Sequence, residues 1–491
     1  MIIASFLVIL AIFLIVGLAS ARVATGERND YYLAGQSVSP WLTGLSAVAT
    51  NNSGYLFIGV IGYGYATGLS AVWLMFGWIV GDFLGSTFIH RQLRKATGVT
   101  NQASFASVLS NWHGEDFAVW RRLAAIIMVV LLIVYGAAQI TAGAKALEGV
   151  FEGFNWRYGA IGSAVIILAY SIAGGIRASI WTDAIQSISM LVALFALFFV
   201  GLHGAGGIAS MIEQLRPMDD GTFLNLWPED NELLLTSALG IFFFVLGWLF
   251  AGFSVVGQPH IMVRFMALDD DANMQRTRVW YYSFFVIFYI LAAGLSLLAR
   301  VYMPELGDID AELALPRMAE TLLPDVMVGL ILAGIFAATM STADSVVLSC
   351  SAAITHDLVP QRLEHPWLLK TATAAVTLLA LFLALLDNQS VFSLVIIAWS
   401  ALAAAFAPLL SLYALKRRVS EITAIGLMVL GIAITLVWRF QLGWHGGIYE
   451  GLPGIAIPFI LGWALSRPAT PAERRASPME EDSPAAERTV D

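Results

Sequence analysis

The stretch "SAVATNNSGYLFIG", residues 46–59, sets four consecutive polar residues, Thr50, Asn51, Asn52 and Ser53, beside Gly54 and Tyr55 in a segment that is apolar on both sides. Asn, Thr, Ser and Gly are weak helix formers. Four successive residues also cannot share one face of a helix, so the stretch reads as a break in a helix more readily than as a polar face packed on a neighbour. Backbone carbonyls freed at membrane depth persist only where they line a cavity or bind a ligand.

The rest of the chain makes a bilayer the relevant solvent. Of 491 residues, 58% are hydrophobic and 12% charged, with mean hydropathy +0.77; soluble domains carry about 25% charged residues. The net charge of −9 comes from loops and the tail and gives no footprint for nucleic acid. Cys350 is the single cysteine, which excludes an intramolecular disulfide and a multi-cysteine metal site. None of the seven histidines has metal-ligand spacing, which argues against a zinc enzyme.

Apolar runs of spanning length fall at thirteen places: 2–21, 41–63, 67–90, 119–148, 157–174, 179–203, 235–257, 277–302, 322–355, 368–386, 389–415, 420–440 and 453–466. With the N-terminus outside, twenty of the 26 Lys and Arg residues fall on the inner face, among them Arg94, Arg264 and Arg278. The "ASA" at 19–21 resembles a signal-peptidase site. No Lys or Arg precedes it, and cleavage would put the basic face outside, so the first segment reads as a retained span. The expected placement is a cell membrane, with the C-terminus in the cytoplasm.

Three further polar places stand within the spans, where such groups are costly and usually functional. "GFSVVGQPH" (252–260) carries Gly257, Gln258, Pro259 and His260, and is either a second break or the inner end of its helix. "IFAATMSTADS" (335–345) crowds Thr339, Ser341, Thr342, Asp344 and Ser345 into one span, and Asp344 requires a partner or water. Asp183, in "SIWTDAIQSIS", is either functional or a helix-start carboxylate favoured by the dipole.

The blocks 41–203 and 235–415 hold five spans each, and the leading span of each block is the interrupted one. Five is odd, so the second block enters the membrane from the opposite side. Paired breaks in an inverted repeat mark the substrate site of a secondary transporter. The expected organisation is a first span and cytoplasmic linker (1–40), a first repeat of core helices one to five (41–203), and an extracytoplasmic loop (204–234). A second repeat of core helices six to ten (235–415), two peripheral spans (416–466) and a disordered cytoplasmic tail (467–491) follow.

Four stretches carry a resemblance to a known family: 30–59 with the break, "IAGGIRASIWTDAIQ" (172–186), "GQPHIMVRFMALD" (257–269) and "AATMSTADSVVLSCSAAITHDL" (337–358). They resemble the sodium/solute symporter family, and within it the sodium/proline symporter branch. The resemblance implies an all-α polytopic membrane protein of about 13 spans with a LeuT-type 5+5 inverted-repeat core. It also implies sodium-driven import of a small organic solute, proline or a related amino acid, by alternating access. The family's sodium site maps onto the carbonyls of Ala49, Asn52 and Ala338 and the hydroxyls of Ser341 and Thr342, with Asp183 nearby on the inward exit route. Oxygen ligands suit a hard cation such as sodium. The solute positions map onto Asn51, Ser53, Tyr55, Gly59, Tyr135, Gln258 and Pro259.

The chain departs from the proline branch at several of these positions. Asn51 stands where the branch has an aspartate important for sodium, and Tyr55 where it has a tryptophan. Ala251 and Val255 replace an aromatic pair, with Trp248 and Phe253 displaced nearby, and Asp344 replaces a serine. Asp344 is therefore a candidate coupling carboxylate that takes over the charge missing at Asn51, and a betaine-like solute or a short carboxylate is the alternative to proline or a related amino acid. A proton-coupled transporter of the same fold is the alternative, motivated by Asp183 and Asp344. No cofactor is expected beyond sodium as coupling ion. Partners are the solute, sodium and the bilayer, with oligomeric state left open. An enzyme would need an acid/base or nucleophile constellation, which the spacing of intramembrane titratable residues does not supply.

Overall fold

The computed structural model describes residues 1–20, 28–151, 153–171, 175–229, 233–235, 237–305, 310–359, 366–386, 390–470 and 473. Arg22, Arg362, Arg474, Arg475 and Arg488, which contribute to the inner-face charge, lie outside them, as does nearly all of the expected tail.

The regular elements of the described chain are helices, apart from one short antiparallel pairing of Arg417–Arg418 with Arg467–Pro468 and a parallel bridge of Val38 with Leu268. α1 (Ile2–Ser20) is followed by the short α2 (Arg28–Leu33). The first interrupted span is α3 (Pro40–Gly54), a π-helical turn Tyr55–Val60 and α4 (Ile61–Thr67). Pro40 opens α3 at the position where a missing N–H costs nothing. After it come α5 (Val72–Phe88), the non-spanning α6 (His90–Thr100) and α7 (Phe105–Ser110), then α8 (Ala118–Val150), α9 (Trp156–Ser171) and α10 (Gly175–Gly204). Beyond α11 (Ile208–Leu215), the second interrupted span consists of α12 (Ser237–Phe253), a tight turn Ser254–Gly257 and α13 (Pro259–Met266). α14 (Met274–Tyr302), α15 (Ala314–Leu322), α16 (Asp325–Ala352), α17 (Pro366–Leu386) and α18 (Val391–Ala414) complete the central bundle. α19 (Glu421–Leu436) and α20 (Gly451–Leu465) pack outside it against α18. Each of the thirteen apolar runs expected from the sequence is largely helical over its described residues.

The packing is reciprocal between the two blocks. α5, which follows the first broken span, packs on α12 of the second; α14, which follows the second broken span, packs on α3 of the first. Both contacts are close because glycine lies in them. A Cβ at Gly81 would stand 1.9 Å from the carbonyl oxygen of Leu249, and one at Gly44 would stand 2.9 Å from that of Thr277. The segment before α3 is also tied to the segment after α13. The Val38 N–H donates to the Ala267 carbonyl at 3.2 Å, and the Asp269 N–H donates to the Val38 carbonyl at 2.9 Å. α16 and α18 are the most deeply enclosed spans, with 83% of their apolar windows inside the protein, and α16 touches α3, α8 and α10.

Candidate functional site

Both interruptions are breaks. In α3, Ser53 takes φ 47° and ψ −176°, a conformation rare for any residue with a Cβ and found where surrounding groups hold it. The groups that hold it are visible. The Gly54 N–H donates to Gln139 Oε1 at 3.0 Å, the Tyr55 N–H donates to Ser53 Oγ at 3.1 Å, and the Tyr135 hydroxyl donates to the same Oγ at 3.3 Å. In the second span the chain is extended at Gln258 (φ −99°, ψ 99°) before Pro259 restarts the helix. Gln258 Nε2 donates to the carbonyls of Ser254 (3.1 Å) and Trp399 (2.9 Å). The open choice at 252–260 is thereby decided in favour of a break.

Opposite the first break, α16 supplies hydroxyls to α3 carbonyls. Ser341 Oγ donates within 3.2 Å of the Ala49 oxygen and 3.1 Å of the Ala338 oxygen, and Thr342 Oγ1 donates to the Thr50 oxygen at 2.9 Å. Four of the five expected oxygen-bearing residues, Ala49, Ala338, Ser341 and Thr342, thus meet at one junction. The fifth, Asn52, directs its carbonyl to the Tyr55 N–H, and the carbonyl that Thr342 reaches is that of Thr50, which the sequence did not single out. These groups are neutral and fully or almost fully buried, an arrangement that can hold a hard, weakly bound monovalent cation.

Asp183 lies well inside α10, so it is not a helix-start carboxylate. It is fully buried and paired with an equally buried Arg264 from α13 at 3.3 Å. Ser46 donates to the same carboxylate oxygen at 2.7 Å. The Arg264 guanidinium also reaches Ser179 (2.7 Å), Ser345 and the His260 carbonyl (3.1 Å). Arg264 had been counted among the inner-face charges of the sequence; it is instead an interior ligand that joins α3, α10, α13 and α16. Asp344 is buried on this side of the site. Burial, with the charge of Asp344 added, pushes the Tyr31 phenol on α2 up to about 12.

Asn51 is tied by its amide nitrogen to a different helix. Its Nδ2 donates to the Tyr281 hydroxyl at 2.5 Å, and Tyr281 donates to Asp82 at 2.6 Å. Tyr282 donates to the other Asp82 oxygen at 3.2 Å. The carboxylate hydrogen-bonded toward Asn51 is Asp82 on α5. Asp82 is a lone acid in the apolar run "WLMFGWIVGDFLGS". The cost of burying charge marks such a residue in the sequence itself.

Between the two breaks lies an aromatic enclosure. Tyr55 packs on Trp78 (ring centroids 5.3 Å) and Phe392 (5.4 Å), Trp78 on Trp399 (5.1 Å), and Tyr135 on His260 (4.9 Å). Gly59 is pressed against Tyr55 and Phe392, where a Cβ would lie 3.0 Å and 3.2 Å from their atoms. Trp399 Nε1 donates to the Ala251 carbonyl at 2.9 Å, so an indole from α18 occupies the neighbourhood of the small residue at 251. Several polar side-chain atoms of the break residues and of Gln139 beside them are buried without a protein partner: Asn51 Oδ1, both side-chain atoms of Asn52, Tyr55 Oη, Gln139 Nε2 and Gln258 Oε1. Trp78, Gln139 and Trp399 were not anticipated, because tryptophan and glutamine in a span carry no positional signal until the breaks are placed in space.

A model of the sodium:solute symporter family matches residues 31–431. The high-affinity proline transporter of Bacillus subtilis (strain 168) is 28% identical over 88% of this chain and 91% of its own length. The sodium/proline symporter of Escherichia coli (strain K12) is 28% identical over 89% and 87%. Among solved structures, a Na+-coupled sialic acid symporter in a substrate-bound outward-open state superposes with TM-score 0.73 at 18% identity, covering 96% of this chain and 98% of that one. A nucleobase-cation-symport-1 family transporter gives TM-score 0.59 at 14% identity, covering 91% and 97%. At these identities the structures speak for the LeuT-type fold.

Proposed function

This chain belongs to the sodium:solute symporter family, and from that premise we propose that it imports proline or a related amino acid together with sodium. It is a multi-pass membrane transporter, not an enzyme, and sodium-coupled solute transport is its activity class. The observation that carries the finer reading is the meeting of the α16 hydroxyls with the carbonyls of the first broken span, beside buried polar atoms without a partner at both breaks.

In this reading sodium takes the carbonyls of Ala49, Asn52 and Ala338 and the hydroxyls of Ser341 and Thr342, joined by the Thr50 carbonyl that Thr342 touches. Binding an ion there ties α16 to α3, so ion occupancy and the relation of the two helices are linked. The solute sits one step away, among Asn51, Ser53, Tyr55, Gly59, Tyr135, Gln258 and Pro259. The faces of Trp78 and Trp399 enclose its apolar part, and the unpartnered amide and phenol groups take its polar ends. Burial of the ring of proline against such faces supplies affinity, and the unpaired polar atoms supply selectivity.

In this reading Asp183, paired with Arg264, lies on the route toward the cytoplasm, and Asp344 is a candidate coupling carboxylate. The repeats run over 41–203 and 235–415, flanked by the first span with its linker (1–40), the loop 204–234, the peripheral spans 416–466 and the tail 467–491. The buried carboxylates Asp183 and Asp344 also favour a proton-coupled variant of the same cycle, and one experiment separates the two. Purified protein in proteoliposomes is given an inward sodium gradient and radiolabelled proline, with other amino acids, betaines and short carboxylates as competitors. Sodium-stimulated proline uptake that other amino acids compete supports the reading. Uptake that ignores sodium and collapses with the pH gradient transfers it to protons, and competition only by betaines or carboxylates replaces the solute.

A further inference from the structure

The chain Asn51–Tyr281–Asp82 has a direction. A carboxylate can only accept, so Tyr281 must spend its single hydroxyl proton on Asp82, at 2.6 Å. The phenolic oxygen is then left as an acceptor, and Asn51 meets it with Nδ2 at 2.5 Å. The amide of Asn51 is thereby fixed with its other end, Oδ1, free. That oxygen is buried and has no partner, and it belongs to the break that kinks at Ser53. An amide or hydroxyl at position 82 would let the chain run in either sense; only an acceptor-only group imposes one. Asp82 is fully buried, and both of its oxygens are held by phenols, from Tyr281 and Tyr282. The nearby guanidinium of Arg278 is engaged with Ser86 through Nε at 3.1 Å. A charge kept at that depth for packing alone would be replaceable by a neutral group at lower cost.

We propose that Asp82 is the positioning residue of the first helix break: acting through Tyr281, it holds the Asn51 amide so that its carbonyl oxygen faces the cation that binds beside the break. The inference rests on the sodium reading above and adds a residue on α5 that touches neither ion nor solute. It also relocates to Asp82 the charge missing at Asn51.

The test reads sodium directly, independently of which solute is carried. Purified protein is titrated with sodium chloride against choline chloride at constant ionic strength, and the sodium concentration giving half of the thermal stabilisation is recorded. Asp82→Asn should raise that concentration by about fivefold or more. Asn51→Asp alone places two carboxylates on one phenol and should raise it similarly. In Asn51→Asp/Asp82→Asn the chain is reversed, the amide at 82 donating to Tyr281 and Tyr281 donating to the carboxylate at 51, and the value should return to within about twofold of the wild type. Asp82→Asn at the wild-type value, or a double variant as impaired as the single ones, overturns the proposal. If the double variant does not fold, Tyr281→Phe decides: an equal shift alone and combined with Asp82→Asn supports the relay, and additive shifts overturn it. Wild-type protein insensitive to sodium would remove the sodium reading itself, and the inference with it.

Discussion

Asp183 and Arg264 are both without exposed surface and 3.3 Å apart, and that burial governs how each can be replaced. Removing one partner strands a charge in the interior, which typically costs about 3–5 kcal/mol, whereas exchanging both for apolar groups of similar size is often neutral or better. Asp183→Ala should therefore lower the thermal midpoint in detergent markedly, while Asp183→Leu/Arg264→Met should recover most of it and still lose sodium-driven uptake. A double variant as unstable as Asp183→Ala would show that the pair is not the interior unit described. The serines that share the guanidinium, Ser46, Ser179 and Ser345, come from three different helices. That explains what the sequence could and could not convey at this scale. A carboxylate in an apolar helix announces itself by its cost, so Asp183 was legible. An arginine near the inner end of a span looks the same whether it faces water or the protein, and charge bias alone placed Arg264 on the surface.

At the scale of elements, helices were readable because spanning lengths and apolar runs coincide, and the breaks were readable because polar, glycine and proline residues interrupt those runs. Partner choice was not. Gly77, Gly81 and Gly85 recur every fourth residue along α5, the spacing that lets two membrane helices approach closely. The spacing does not say which helix approaches. The structure places α12 there: a Cβ at Gly77 would be 2.6 Å from the Trp248 backbone, and one at Gly81 would be 1.9 Å from Leu249 O. This contact holds Asp82 at its depth beside Tyr281. Gly81→Ala should force the helices apart, cost about 1–3 kcal/mol as overpacking does, and weaken sodium binding in the same titration as Asp82→Asn. Gly162→Ala on α9, where a Cβ meets nothing within 4 Å, should instead be neutral or stabilising by about 0.4–1 kcal/mol, because alanine only narrows the unfolded ensemble. Equal thermal midpoints for the two variants would count against the close seam.

Over the whole molecule, the reciprocal packing of α5 on α12 and α14 on α3 is what two inverted blocks produce when each block's second helix covers the other block's broken one. The odd number of spans per block made that inversion legible before any contact was known. The aromatic enclosure was less so, since Trp78 and Trp399 lie far apart in sequence and meet only after the fold has closed. The inversion relates the two blocks to each other, and the Lys and Arg bias predicts their orientation in the membrane: the loop after α8 outside and the segment after α20 inside. Cysteine labelling tests this with little background, because Cys350 is the only cysteine and is buried in α16. On intact cells a membrane-impermeant maleimide should label Arg157→Cys, at the exposed start of α9, at once. Thr470→Cys, exposed beyond α20, should react only after the membrane is permeabilised. The reverse pattern would turn the molecule over and place the basic face outside.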